Sequence, residues 1–207
     1  MDSSSVAGAT VFKARTSRWF TGLAVLVTAG GLASVVATDG PAGLLTAWPL
    51  LGIAYGGWWL FWYPAVLVAE DAVTLRNPLV TVRVPWNALV DVDTRYALKL
   101  VTPSRGYTAW AAPAPGVWGT HSGKVEHLTN LPSTSYGPGG SVRPGDLKNT
   151  DSGHAAYLVR SHWQDLVETG RLDVDRQEKV QRSWNLAPLA VGVLLVVATA
   201  LTPGVVS

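Results

Sequence analysis

The chain is 207 residues long, with 14% charged residues, 48% hydrophobic residues and a formal net charge of +2. The charged share lies well below the quarter usual in soluble domains, so one modest domain beside membrane segments is what the length allows. The absence of cysteine excludes disulfides, thiolate metal sites and a cysteine nucleophile, and so small a net charge gives no argument for nucleic acid as a partner.

Residues 1–12 begin small and polar and are expected to be disordered, and residues 1–18 form a basic N-terminal segment through Lys13, Arg15 and Arg18. An uncharged run then extends from Trp19 to Thr38. That is just enough for a span, which needs about 20 apolar residues. Ala29, Ala33 and Ala37, and Gly30 with Ser34, recur at the spacing that lets another helix approach closely. This face would pack on a neighbouring span or on a second copy of the chain, or it is simply part of a Gly/Ala-rich helix. The basic flank, apolar core and Val35-Val36-Ala37 also fit a cleaved signal peptide. The length of the core and the second apolar segment behind it favour a retained anchor.

The Thr38–Gly43 turn is followed by a charge-free run from Gly40 to Ala69, giving a two-helix hairpin over 19–69. Pro64 is expected to end or kink the second helix. Trp58, Trp59, Trp62 and Tyr63 crowd its last third and, with Trp19 and Trp184, read as aromatics at the membrane interface. A ligand cage is the alternative for the cluster.

From Glu70 to Pro113 the period changes to two. Val73 and Leu75, then Val80, Val82 and Val84, then Leu98 and Leu100 alternate with polar neighbours, as strands with one wet face do. Breaks at Asn77-Pro78, Pro85-Trp86-Asn87 and Ser104-Arg105-Gly106 fit short turns, predicting an antiparallel meander. Asp71 to Asn77, Thr81 to Trp86 and Leu89 to Val92 carry a resemblance to the bacterial PH-like domain of actinobacterial membrane proteins of the low-molecular-weight-antigen type. Ala72 stands where glycine is common in that pattern. The resemblance implies a PH-like fold, a small bent sheet or partial barrel closed by one amphipathic helix, and brings no catalytic residues.

Residues 113–153 read as a long irregular loop, with a strand expected at Lys124–Leu128. Over 153–169 the period is helical, with Ala155, Ala156, Leu158, Val159, Trp163, Leu166 and Val167 on one stripe. Asp151 or Ser152 is expected to cap its start and Gly170 its end, with Trp163 plugging the core. The PH-like domain thus covers 70–183, and 184–207 is a third span. The fold class is a membrane α + β protein. Lys and Arg flank the first span and the domain but not the turn, which predicts a multi-pass inner-membrane protein with the N-terminus and domain in the cytoplasm.

No catalytic constellation emerges. His121, His127, His154 and His162 have no convergent third ligand, so neither metal nor other cofactor is expected. No serine sits in a nucleophile motif and no phosphate loop is present. Arg76, Arg83, Arg95, Lys99 and Arg105 lie near strand ends and turns, where they could hold anionic headgroups or a protein partner. The expectation is a non-enzymatic binding or scaffolding module for a membrane or cytoplasmic protein or for lipid. The alternative is an accessory subunit of a membrane enzyme or transporter with a site shaped by loop 113–153.

Overall fold

The computed structural model describes residues 3–6, 8–115, 144–147, 149–172 and 178–201. The expected strand at Lys124–Leu128 lies outside these. Among the described residues nine strands form two antiparallel sheets. The larger runs in the order β1 (Ser3–Val6), β2 (Ala9–Phe12), β3 (Ala65–Val68), β4 (Ala72–Arg76), β5 (Val80–Pro85), β9 (Gln181–Trp184). The smaller joins β6 (Asp91–Asp93), β7 (Ala97–Val101) and β8 (Gly106–Pro113). Helix α3 (Asp151–Glu168) packs on β3, β6, β7 and β8. The antiparallel sheet with its closing helix agrees with the PH-like expectation.

The core lies between the sheets and α3. Val66, Val73, Leu75, Val84, Leu98, Leu100 and Val159 are buried in it, each adding about 1.5–3 kcal/mol of apolar burial. The buried indole is Trp86, which donates to Ala69 O at 2.9 Å. Trp163, expected as the plug, is only partly buried against the cluster. Thr150, rather than Asp151 or Ser152, caps α3, its hydroxyl accepting from Gly153 N at 3.0 Å. Gly170, at φ 64°, follows the helix end as expected.

Two boundaries differ from expectation. Residues expected to be disordered form the β1–β2 hairpin, turning at Gly8, whose φ of 82° favours glycine. β2 then adds to the sheet through Thr10 opposite Val68 and Phe12 opposite Val66, burying Val11 and Phe12. Four residues are too few to display a period, and their partner strand lies far along the chain. The second apolar helix also ends early. Helix α2 (Trp48–Gly57) continues as a π turn over Trp58–Trp62 and stops before Pro64. The uncharged residues that follow are β3, whose Ala65, Val66 and Val68 enter the domain core. Unbroken apolarity thus covers both a helix end and a core strand.

Helix α1 (Thr16–Asp39) is, among the described residues, the one helix long and apolar enough to cross a membrane by length and composition. Helix α4 (Leu186–Leu201) is apolar but 16 residues long. The helices pack in the order α1–α2–α4. At Gly31 an added Cβ would lie 2.6 Å from Leu50 Cδ2, and at Gly57 2.3 Å from Ala24 Cβ. Thr28 donates to Leu50 O at 3.1 Å. The face that meets α2 therefore carries Ala24, Thr28 and Gly31, whereas Ala29, Ala33 and Ala37 point outward. Tyr55 donates to Pro188 O at 2.5 Å and joins α2 to α4.

A buried clasp holds α3 to the smaller sheet. Asp146, in the turn Pro144–Asp146, accepts from Arg160 Nη1 at 2.6 Å and from Thr94 Oγ1 at 2.9 Å. Arg160 Nη2 donates to Val92 O at 2.5 Å. Arg160 and Asp146 are only 5% and 3% exposed, so the pair is almost entirely out of water.

Candidate functional site

The sheet and the helices meet in a hydrogen-bonded seam. Trp59 Nε1 donates to Pro78 O at 3.0 Å, and Trp110 Nε1 to Leu60 O at 2.7 Å. Asn185, between β9 and α4, donates to Asn77 O at 2.7 Å and accepts from Thr81 Oγ1 at 2.9 Å. Asn77 in turn accepts from Trp110 N at 2.8 Å and donates to Thr108 O at 2.9 Å. The two indole bonds join the sheet to the end of α2, Asn185 joins it to the start of α4, and the Asn77 bonds brace the β4–β5 turn against β8, so the domain is docked rather than dangling.

The five predicted cations do not converge. Arg76 lies in the seam, donating from Nε to Tyr63 O at 2.9 Å with its guanidinium 5.0 Å from the Tyr63 ring. Carbonyls at a helix end attract a cation, which fits this place after α2. Arg83 pairs with Asp71, beside Glu70 and Glu178, and is thereby neutralised. Arg95 and Lys99 are exposed on and beside β7. Arg105 sits in the β7–β8 turn, bonded to Tyr107 Oη at 3.1 Å and stacked 5.1 Å from that ring.

Of the five, Arg105 shares a cleft with a second cation. That cleft, of about 240 Å³, lies between β8 and the β5–β9 pair. Arg182, opposite Val82 in the register, supplies the other charge, and Asn77, Tyr107 and Thr108 add polar groups. Among the described residues no carboxylate lies within ion-pair distance of Arg105 or Arg182. Arg182 stacks 5.2 Å from Trp184, one residue before Asn185 and two before α4 begins. Two guanidiniums lining one cleft can hold a phosphodiester. In the sequence Arg182 stands only as a charge shortly before the last apolar run, because its pairing with β5 crosses most of the domain.

The interfacial aromatics divide similarly. Trp19, Trp58, Trp62 and Trp184 are exposed. Trp59 and Tyr63 are partly buried in the seam. Among the described residues no group of three ligating side chains could hold a metal ion. His121 and His127 lie outside them. His162 packs on Trp86 at 4.9 Å with its Nε2 buried.

His154 faces Phe12 at 5.4 Å, and burial, then the charge of Arg15, lower its pKa below the ordinary 6.5, against the opposing pull of Asp151. A histidine held below its unfolded value leaves the fold unpenalised above 6.5 and costs stability as pH falls through that value. His154→Gln should therefore show a smaller drop in Tm between pH 7.5 and 5.5 than the parent chain. An equal drop would show that His154 does not carry the acid sensitivity.

Residues 63–122 match the family model of the Bacterial PH domain. The match starts at Tyr63 and so takes in β3, where the structure begins the central part of the sheet. No curated protein and no solved structure matches the chain.

Proposed function

We propose that this chain is a membrane-anchored, non-enzymatic binding module whose PH-like domain reads anionic headgroups at the inner leaflet. In this reading α1, α2 and α4 all span the membrane, with the N-terminus and the domain on the cytoplasmic side. Helix α4 rises about 24 Å over its 16 residues. That is short of the roughly 30 Å hydrocarbon layer and is accommodated by local thinning or by flanking residues. Lys13 and Arg15 before α1, Arg18 in its first turn, and Arg182 before α4 supply the cytoplasmic charge bias.

The observation that carries the headgroup reading is the Arg105–Arg182 cleft, unneutralised and beside the residue from which α4 departs. Each cation near an anionic surface contributes about 1 kcal/mol. In the full chain reconstituted into mixed bilayers, spin-labelled phosphatidylglycerol should be preferred over phosphatidylcholine. Arg105→Glu with Arg182→Glu should cut that preference several-fold. Unchanged preference would sink the headgroup reading.

A protein partner is the second reading, favoured by β9. All four of its residues are exposed, and among the described residues no strand pairs with its outer edge. An extended peptide could add there. The alternative of an accessory subunit rests on loop 113–153, most of which lies outside the described residues.

A further inference from the structure

A further cavity belongs to neither surface. It has a volume of about 890 Å³ and opens at the root of α1, where β2 passes into the helix. Its rim carries Lys13, Arg15, Arg18 and Trp19, and its wall is Leu23 and Leu26, with Trp62 lining it as well. Leu23 and Leu26 lie about 10 and 15 Å down the helix from Thr16, at 1.5 Å per residue. Positive charge at one end and an apolar wall reaching roughly half the hydrocarbon depth at the other describe an amphiphile.

We infer that this cleft is a specific site for one anionic phospholipid, its phosphate held by Lys13 and Arg15 and the first half of an acyl chain laid along Leu23 and Leu26. The inference rests on α1 lying in the bilayer, as in the reading above, but not on the Arg105–Arg182 cleft.

Charge complementarity selects the ligand. Among the described residues no carboxylate lies within ion-pair distance of Lys13 or Arg15. The nearby acid, Asp151, spends its oxygens on Arg15 N at 3.0 Å and Thr16 Oγ1 at 3.3 Å. Lys13 sits 4.4 Å over the Trp62 ring, an arrangement that fixes its ammonium at the cleft. Burial, then the charge of Arg76, lower the pKa of that ammonium, which marks a place short of negative charge. A zwitterionic headgroup would bring its own cation into the same collar. The exposed Trp19, 82% accessible, stands at the rim where an indole prefers the headgroup level.

The test is native mass spectrometry of the full chain purified in detergent and offered phosphatidylglycerol or phosphatidylcholine. One phosphatidylglycerol should be retained per chain, in clear preference to phosphatidylcholine. Lys13→Glu with Arg15→Glu should lower retention at least tenfold, whereas Arg95→Glu, at an exposed cation that lines neither cleft, should leave it unchanged. Leu23→Trp fills the apolar wall without altering charge, and at an exposed position it leaves the fold intact, so it should lower retention as well. Millimolar glycerol phosphate, which has the charge but no chain, should displace nothing. Equal retention of the two lipids, retention indifferent to Lys13→Glu with Arg15→Glu, or displacement by glycerol phosphate would each overturn the site. Retention lost only in the Arg105/Arg182 variant would place the lipid on the sheet and leave the α1 cleft empty.

Discussion

Arg160→Leu is expected to lower the Tm of the purified chain by about 10 °C, read by tryptophan fluorescence in detergent. Removing one partner of a buried pair costs about 3–5 kcal/mol, and for chains of this size each kcal/mol moves Tm by about 2–4 °C. The orphaned group is Asp146, 3% exposed, left with Thr94 as its remaining partner in the clasp. Val92 O loses its bond to Nη2 at the same stroke. Arg160→Leu combined with Asp146→Leu should recover much of the loss, because no buried charge then remains. A change of under 2 °C in the single variant would show that water reaches Asp146 and that the clasp is not a closed ion pair.

Gly153→Ala is expected to be the next most damaging change, although it adds one methyl group. The new Cβ would stand 2.1 Å from Leu147 O and 2.6 Å from Leu147 C. These are backbone atoms, so no rotamer change relieves them, and overpacking of this kind costs about 1–3 kcal/mol or more. Gly30→Ala is the contrast. It has nothing within 4 Å, and in a helix alanine is favoured over glycine by up to about 1 kcal/mol. Tm should fall in the first variant and hold or rise in the second. Because Leu147 adjoins Asp146, Gly153→Ala and Arg160→Leu disturb one turn, and the double variant should lose less than the two single losses added. Full additivity would mean that the turn and the ion pair act independently.

How much of this was legible follows from what each segment must satisfy. Strands β4, β5 and β7 each have one buried face and short turns, so Val73 with Leu75, Val82 with Val84 and Leu98 with Leu100 announced them. The amphipathic stripe of α3 was equally plain. β3 was not, because Ala65 to Val68 continues an apolar run whose earlier part is helical and only Pro64 marks the change. β1, β2 and β9 are four residues each, and the partners of β2 and β9 come from distant parts of the chain. The helix contact face was misassigned for a related reason. Small residues occur on two sides of α1, and only the position of Leu50 selects Gly31 over Ala29. The cations were all visible as charges, yet which of them meet depends on long-range pairing. Hence Arg182 joined Arg105, and Lys13 and Arg15 formed a collar, while Arg83 was claimed by Asp71.

The order of strands in the larger sheet bears on how the protein is made. β2 is translated before α1, β3 only after α2, and β9 after α3 and immediately before α4. β4 and β5 can pair with β3 as soon as they emerge, but their outer neighbours come from opposite sides of the helical hairpin. At about 5–20 residues per second, β2 waits for its partner through the synthesis of α1 and α2. The sheet then stays open at β5 until residue 184 has left the ribosome. The domain is therefore not a finished body when the helical hairpin has been made. It is completed only later, and a ribosome stalled before β9 would hold a chain with an unpaired, aggregation-prone strand edge.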